Sequence, residues 1–234
     1  MADALAYPMP PVPAGGPAVG IRWLRRNIAR FTDGPDHDRR RRQATSMLAG
    51  VEIDELRQQA AARTQAALAE GRSVDLMAQA IPVEVLAAAL GLPQVPTDTV
   101  AAIARAYQPD TGDEDPADEA VAELVTAFGG TPNEATAATI ALLVQAYAAT
   151  AGLVRNAAQR ADAASPASTI VTETLRDDPP VRTTRRVAPD TGVVITVDLP
   201  TPFGSGSHEC PGRDHAVAIA TGIVETLTGR LLSS

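Results

Sequence analysis

Residues 203–212 read Phe-Gly-Ser-Gly-Ser-His-Glu-Cys-Pro-Gly and contain the only cysteine of this 234-residue chain, Cys210. Because proline suits the first position of a helix, Pro211 predicts that Cys210 is the N-cap of the C-terminal helix. A thiol at an N-cap meets free backbone N–H groups and the positive end of the helix dipole, which lower its pKa and favour the thiolate. The glycines of this loop permit backbone conformations that other residues avoid, and they allow a flat ligand to approach closely.

The chemistry of this loop leaves two interpretations open. A thiolate on a glycine-rich loop is one way in which proteins ligate haem iron. A lone cysteine is also often an inert core residue. One cysteine excludes an internal disulfide and a site built from several thiolates, and the three histidines, His37, His208 and His215, leave little material for a histidine-based metal centre.

The loop resembles the haem-binding loop of the cytochromes P450, whose pattern is Phe-Gly-x-Gly-x-His-x-Cys-x-Gly. The matching positions are Phe203, Gly204, Gly206, His208, Cys210 and Gly212. This resemblance implies haem b, iron protoporphyrin IX, as the cofactor and Cys210 as its proximal iron ligand. It also implies that Phe203 shields the sulfur and that the other matched residues bind the cofactor.

Two arginine motifs match the same family in the right order. His37 and Arg41 fit a His-x-x-x-Arg motif on the helix that reaches the haem propionates, and their i, i+4 spacing places both on one helical face. Arg186 lies where the family has a propionate-binding arginine after Pro-Pro-Val. Arginine suits this role because it can bind a carboxylate through two parallel hydrogen bonds. We expect Arg39, Arg40 and Arg42 to form a solvated basic face.

Glu173 and Arg176 fit the family's Glu-x-x-Arg motif. The resemblance implies a buried structural ion pair that braces the proximal side of the haem. Taken alone, an i, i+3 pair of this kind is common on exposed helix surfaces, where it contributes little.

A long apolar helix, predicted over about 131–164, resembles the family's distal helix above the haem. A capping box with Thr131 as the N-cap predicts its start. Thr150 matches the oxygen-activating threonine, and Tyr147 takes a position that usually holds a small residue facing the iron. Core packing is the alternative role of both. Ala149 replaces the usual acid, which weakens proton delivery to bound oxygen, so peroxide-driven or non-oxygenase chemistry stays open.

Periodicity and turn signals predict a mainly α protein with a small β element and a truncated P450-like fold. Besides the distal helix, helices are expected at about 21–31, from 36, and at 51–70, 74–90, 97–107, 115–128, 165–176 and 211–231, with strands at 181–187 and 193–197. Residues 1–17, with five prolines, are expected to form an extended arm. Residues 18–234 are expected to form a single haem-binding domain.

Composition narrows the class of protein. The net charge of −8 argues against a nucleic-acid surface, which needs a basic face. No apolar run is expected to reach the length of a transmembrane helix, and the N-terminus lacks the pattern of a signal peptide. These features predict a cytoplasmic protein without a membrane partner.

The resemblance implies a haem-thiolate oxidoreductase, monooxygenase-like, of bacterial secondary metabolism, with a small-molecule substrate and a ferredoxin electron donor. The chain is short for that family, and only 21 residues separate Val181 from Phe203, where the family has further strands. A homodimer or another partner is expected to cover the surface left open. Alternatives are a non-catalytic helper of glycosyltransferases, which retention of Cys210 argues against, a haem sensor or carrier, and an all-α domain without haem.

Overall fold

The structure, a computed structural model, describes residues 4–162 and 164–231, with side chains described up to 229. In this part of the chain the elements are α1 (Ile21–Arg26), α2 (Gly34–Ala49), α3 (Ile53–Ala69), α4 (Val74–Ala89), α5 (Thr97–Arg105), α6 (Asp115–Ala127), α7 (Glu134–Gln145), α8 (Ala151–Arg160), α9 (Ala167–Asp177), β1 (Thr183–Val187), β2 (Val194–Asp198) and α10 (Arg213–Leu231). Short 3-10 helices span Ala4–Ala6, Ala29–Phe31 and Gly206–His208, and Ala146–Thr150 is π-helical. The predicted mainly α architecture with a small β element is confirmed.

Local capping explains where several helices begin and end. Ser73 is the N-cap of α4, as predicted, because its Oγ accepts a hydrogen bond from the Leu76 N–H at 3.3 Å. The chain leaves α3 at Gly71, whose φ of 74° lies in the left-handed region. The N–H of Arg72 then donates to Ala67 O at 3.0 Å, which satisfies a carbonyl of the last turn.

The predicted start and end of the distal helix are wrong. Asn133, not Thr131, caps α7, because its Oδ1 accepts the N–H of Thr136 at 3.0 Å. Asparagine is among the best N-cap residues, so the first helical residue is Glu134, two residues later than predicted. At its other end α8 stops at Arg160, since Ala161 has extended backbone angles.

The chain divides into two compact units. The first comprises the described residues of 1–48, 98–142 and 181–211, and the second those of 49–97, 143–180 and 212–234. Each unit is described by itself below. The expectation of a single domain over 18–234 stays a prediction.

In the first unit, β1 and β2 pair antiparallel, with Thr184 opposite Val197 and Arg186 opposite Ile195. Alternation along β1 buries Thr184 and Arg186 on one face. The N-terminal arm lies along the other edge of β1, where the Val187 N–H donates to Pro8 O at 2.8 Å.

A buried arginine holds the loop that follows α5. The Arg25 guanidinium donates to the carbonyl oxygens of Ala106, Tyr107 and Gln108 and pairs with Glu114 at 2.5 Å. A helix C-terminus leaves carbonyl groups unpaired, and a cation there is favourable. Arg25 therefore anchors α1 to the end of α5, although it has no solvent exposure.

The second unit is a helical core of α3, α4, α8, α9 and α10. Its buried side chains are apolar, and the larger ones include Leu56, Met77, Ile81, Leu153, Ile219 and Ile223. Aromatic residues are only 3% of the chain, so the core is packed from aliphatic and alanine side chains, as the composition predicts.

One helical run, Glu134–Arg160, is long and apolar enough to cross a membrane by length and composition. It has 27 residues and a mean hydropathy of 1.7 in its most apolar 18-residue window. The expectation that no apolar run reaches this length is therefore wrong. Of that window, 61% is buried inside the protein, which is typical of a core helix.

Candidate cofactor site

The cysteine loop is closed by its own backbone. The Gly204 N–H donates to Thr201 O at 3.1 Å, and the Cys210 N–H donates to Phe203 O at 2.9 Å. Phe203 has a φ of 69°, and Gly204 and Gly206 each have a φ of 72°. Glycine adopts this region freely, whereas for phenylalanine it costs roughly 1–2 kcal/mol. The loop keeps Phe203 in this strained conformation, and we infer that its side chain is needed at this position.

The predicted N-cap role of Cys210 is wrong. Helix α10 begins at Arg213, and its first turn is closed by the Ala216 N–H donating to Gly212 O at 2.9 Å. Glycine is an acceptable N-cap, so Gly212 takes that position. Cys210 therefore lies two residues before the N-cap. Because the effect of a helix dipole falls off within the first turn, the dipole of α10 does not give a Cys210 thiolate the stabilisation that the N-cap position would give.

Two histidines stack beside this loop. The rings of His37 and His208 have centroids 4.2 Å apart and are tilted by 48°. His37 is 3% exposed, and its Nδ1 lies 3.1 Å from Asp38 Oδ1. Since a carboxylate only accepts, Nδ1 carries the proton of this bond. The opposite nitrogen, Nε2, is buried without a hydrogen-bond partner in the described part of the chain.

His208 is held in a neutral form. Burial lowers its pKa to about 4, nearby His37 and Arg186 add to this effect, and a hydrogen bond to Asp33 opposes it. The His208 Nε2 lies 3.3 Å from Asp33 Oδ1, so at neutral pH Nε2–H donates to that carboxylate.

Two arginines complete the cluster. Arg41 Nη1 donates to the carbonyl oxygen of Glu209 at 2.5 Å, which joins α2 to the cysteine loop. Arg186 is 2% exposed, and its Nη1 donates to Thr184 Oγ1 at 2.9 Å. The structure thus brings four predicted residues together at the cysteine loop: His37, Arg41, Arg186 and His208.

Sequence reasoning missed the part played by the N-terminal arm and by Asp33. Leu5 O accepts a hydrogen bond from Arg186 Nε at 3.1 Å. The Met9 N–H donates to Asp33 Oδ2 at 2.8 Å, so one carboxylate joins the arm to His208. The sequence held one signal that the arm packs against the protein: Leu5 and Met9 are apolar residues in a proline-rich segment. Both are buried.

The expectation that Arg39, Arg40 and Arg42 form a solvated face is wrong for Arg40. Its side chain is buried, and its Nε donates to Glu134 Oε1 at 2.8 Å. Arg39 donates to both oxygens of the same carboxylate at 2.6 and 2.9 Å. Glu134 therefore ties α2, which carries His37 and Arg41, to the first turn of α7.

We expect Glu134→Gln to flatten the acid dependence of stability. Hydrogen bonds from Arg39, and then from Arg40, lower the pKa of Glu134 to about 2. The carboxylate therefore stabilises the fold above about pH 4.5, and this contribution is lost as the pH falls towards 2. Solvent screening at this partly exposed site keeps the effect on the order of 1 kcal/mol.

Urea unfolding of both proteins between pH 2 and 7 measures this effect. Glu119→Gln is the matched control, because Glu119 is exposed and makes no ion pair in the described chain. Parallel stability curves for Glu134→Gln and the unmodified protein would contradict the prediction.

The predicted distal residues, Tyr147 and Thr150, lie in the second unit. Both belong to the π-helical segment Ala146–Thr150. Short π segments are rare and often occur at functional sites. Thr150 is also buried. In the same unit, the hydroxyls of Thr64 and Thr174 each donate to the carbonyl oxygen four residues earlier. Among the described residues, the Thr150 hydroxyl makes no such bond.

Solved structures that resemble this chain are cytochromes P450. P450BioI in complex with hexadec-9Z-enoic acid ligated acyl carrier protein aligns with a TM-score of 0.72 at 18% identity, covering 99% of this chain and 82% of that one. Econazole-bound CYP164A2 from Mycobacterium smegmatis aligns at 0.68 and 23% identity, covering 98% and 77%. CYP154A1 from Streptomyces coelicolor A3(2) aligns at 0.65 and 20% identity, covering 86% and 71%.

The chain has the cytochrome P450 fold. Its 234 residues form a short version of that fold. No protein-family model matches the sequence, and no curated protein matches it either. The P450 fold is therefore supported by the cysteine-loop motif and by the solved structures, and not by these two comparisons.

The expected buried pair of the P450 Glu-x-x-Arg motif is wrong here. Glu173 and Arg176 are both exposed at the end of α9. Arg176 donates instead to its neighbour Asp177 at 2.7 Å.

Proposed function

We propose that the chain is a haem-thiolate enzyme that binds haem b through Cys210 and oxidises a small molecule in bacterial secondary metabolism. The observation that carries this proposal is the cluster of His37, Arg41, Arg186 and His208 at the loop of the only cysteine, in a chain with a P450 fold. A cytoplasmic location, a ferredoxin donor and homodimer formation belong to the same proposal.

The chemistry of the cluster fits the two propionates of haem. Arg41 and Arg186 supply permanent positive charge, and arginine binds carboxylates well. His37 Nε2 is buried without a hydrogen-bond partner in the described part of the chain, so this cluster holds a polar atom that a bound group could satisfy.

His208 serves this site differently. It donates its proton to Asp33 and stays neutral at neutral pH. We infer that it positions the stacked His37 ring rather than binding a propionate directly.

A haem with a thiolate ligand supplies oxygen activation at its iron when it is bound. The chain contributes the Cys210 sulfur and the Phe203 ring, which we propose covers that sulfur. On the distal side, the Thr150 hydroxyl and the Tyr147 phenol are the candidate groups to hold and pass protons.

Ala149 favours a second candidate function, oxidation driven by peroxide. This residue has no ionisable group to relay the protons that oxygen cleavage consumes. Peroxide brings its own protons and electrons, so it needs less of that relay and no ferredoxin. The substrate is proposed as a small molecule, free or bound to a carrier protein, as in the acyl carrier protein complex of the similar P450BioI.

The test is the absorption spectrum of the haem-reconstituted protein, reduced and exposed to carbon monoxide. A strongly red-shifted Soret band is the expected result. Haem binding without that band would contradict thiolate ligation and favour a sensor or carrier, and no haem binding would overturn the proposal in favour of a helper protein. Substrate turnover with peroxide alone, compared with ferredoxin and O2, then separates the two chemistries.

A further inference from the structure

Arg30 carries a charge that no acidic side chain balances. It lies in the 3-10 turn before α2, partly buried, with Nη2 donating to Thr184 Oγ1 at 3.3 Å and Nη1 3.9 Å from Met9 Sδ. Its Cζ lies 5.5 Å from the centre of the Phe31 ring. Within the described residues, no carboxylate is within ion-pair distance of this guanidinium. Withdrawing a charge from water without a counter-ion is costly, and burial lowers the pKa of Arg30 accordingly.

Tyr107, which contacts the same Phe31 ring as Arg30, carries a second group that lacks a partner. Its ring packs edge-on against Phe31, with centroids 5.2 Å apart. The Tyr107 hydroxyl is buried and has no hydrogen-bond partner in the described chain. Buried hydroxyls almost always have one, so this oxygen calls for an explanation. Burial raises the pKa of Tyr107, which keeps the phenol protonated and able to donate.

Thr184 links Arg30 to Arg186, one of the four residues clustered at the cysteine loop. Its Oγ1 accepts from Arg30 Nη2 at 3.3 Å and from Arg186 Nη1 at 2.9 Å. Two guanidinium groups thus share one neutral acceptor.

We propose that Arg30 and Tyr107 form a binding site for one carboxylate group. A carboxylate would balance the charge of Arg30 and accept the hydrogen bond that the Tyr107 hydroxyl can donate. Two sources share this chemistry, a propionate of haem and the carboxylate of a substrate. The propionate alternative depends on the proposed haem function. The site itself is inferred from the unbalanced charge of Arg30 and the unpaired hydroxyl of Tyr107.

The first measurement is the melting temperature of the haem-free protein. Arg30→Met and Tyr107→Phe should melt at or above the temperature of the unmodified protein, because each removes a buried group that lacks its partner. Arg26→Met is the matched control, an exposed arginine of α1 that donates to Pro13 O. A residue that only supports the fold would give a lower melting temperature when replaced.

The second measurement identifies the source. If the site takes a propionate, Arg30→Met should release haem to apomyoglobin at least tenfold faster, with no change for haem dimethyl ester. If it takes a substrate carboxylate, haem release should be unchanged, and the haem-loaded variant should bind decanoate at least tenfold more weakly, with no change for decanamide. Tyr107→Phe should shift the same quantity in the same direction.

The inference would be overturned if Arg30→Met and Arg26→Met bound haem, decanoate and their neutral analogues equally well. Failure of the unmodified protein to bind haem would instead overturn the proposed function. Calorimetric titration of the haem-free protein with decanoate then decides this inference: weaker binding to Arg30→Met than to Arg26→Met supports it, and equal or absent binding overturns it.

Discussion

Cys210→Ala is expected to abolish the red-shifted Soret band of the reduced carbon monoxide complex while the helical circular dichroism of the protein is retained. The chain has no second cysteine, so no other thiolate can replace the sulfur. Alanine keeps the backbone N–H that donates to Phe203 O, and the loop can therefore stay closed. Absorption and circular dichroism spectra of the same sample measure both quantities.

Cys210→Ser is the matched control for this experiment. Serine keeps the size and polarity of the side chain but not the thiolate, so it should lose the same band and keep the same fold. A band of unmodified intensity in either variant would remove Cys210 as the iron ligand. If only the alanine variant loses helix along with the band, the spectrum of the folded serine variant decides whether Cys210 is the iron ligand.

Gly222→Ala is expected to have the largest effect on stability among single methyl additions to α10. A Cβ at position 222 would lie 2.2 Å from the carbonyl oxygen of Arg57 and 3.2 Å from the Ala60 Cβ. The first of these neighbours is backbone, so α10 and α3 would have to separate inside the core of the second unit. Overpacking of this kind costs about 1–3 kcal/mol or more. The higher helix propensity of alanine returns only about 1 kcal/mol of this.

Gly229→Ala is the matched control, because it adds the same methyl group to the same helix. Among the described residues, a Cβ at position 229 would have no atom within 4 Å beyond its own stretch of helix. This variant should be as stable as the unmodified protein, or more stable by about 0.5–1 kcal/mol. Urea unfolding midpoints of the two variants measure the difference, and equal midpoints would contradict close packing of α10 on α3 at Gly222.

Local signals determined most of the secondary structure. The polar side chain of Ser73 and the glycine at position 71 placed the boundary between α3 and α4, because capping and left-handed φ angles depend on residues close in sequence. The strand pair around 183–198 followed from β-branched residues on both sides of an Asp-Thr-Gly turn. The spacing of residues in the cysteine loop was also enough to indicate the P450 fold, which the solved structures confirm.

Only the tertiary structure decided which polar groups pair over long distances in sequence. Nothing near Arg40 predicts Glu134 as its partner, and nothing near Asp33 predicts its bonds to Met9 and His208. The helical period placed His37 and Arg41 on one face, but whether a polar group is buried and satisfied depends on what another segment brings against it. For the same reason the family motif predicted a buried pair at Glu173 and Arg176, whereas both residues are exposed. Sequence alone thus determined the local elements and the candidate iron ligand, while three-dimensional packing determined the charges and hydrogen bonds around it.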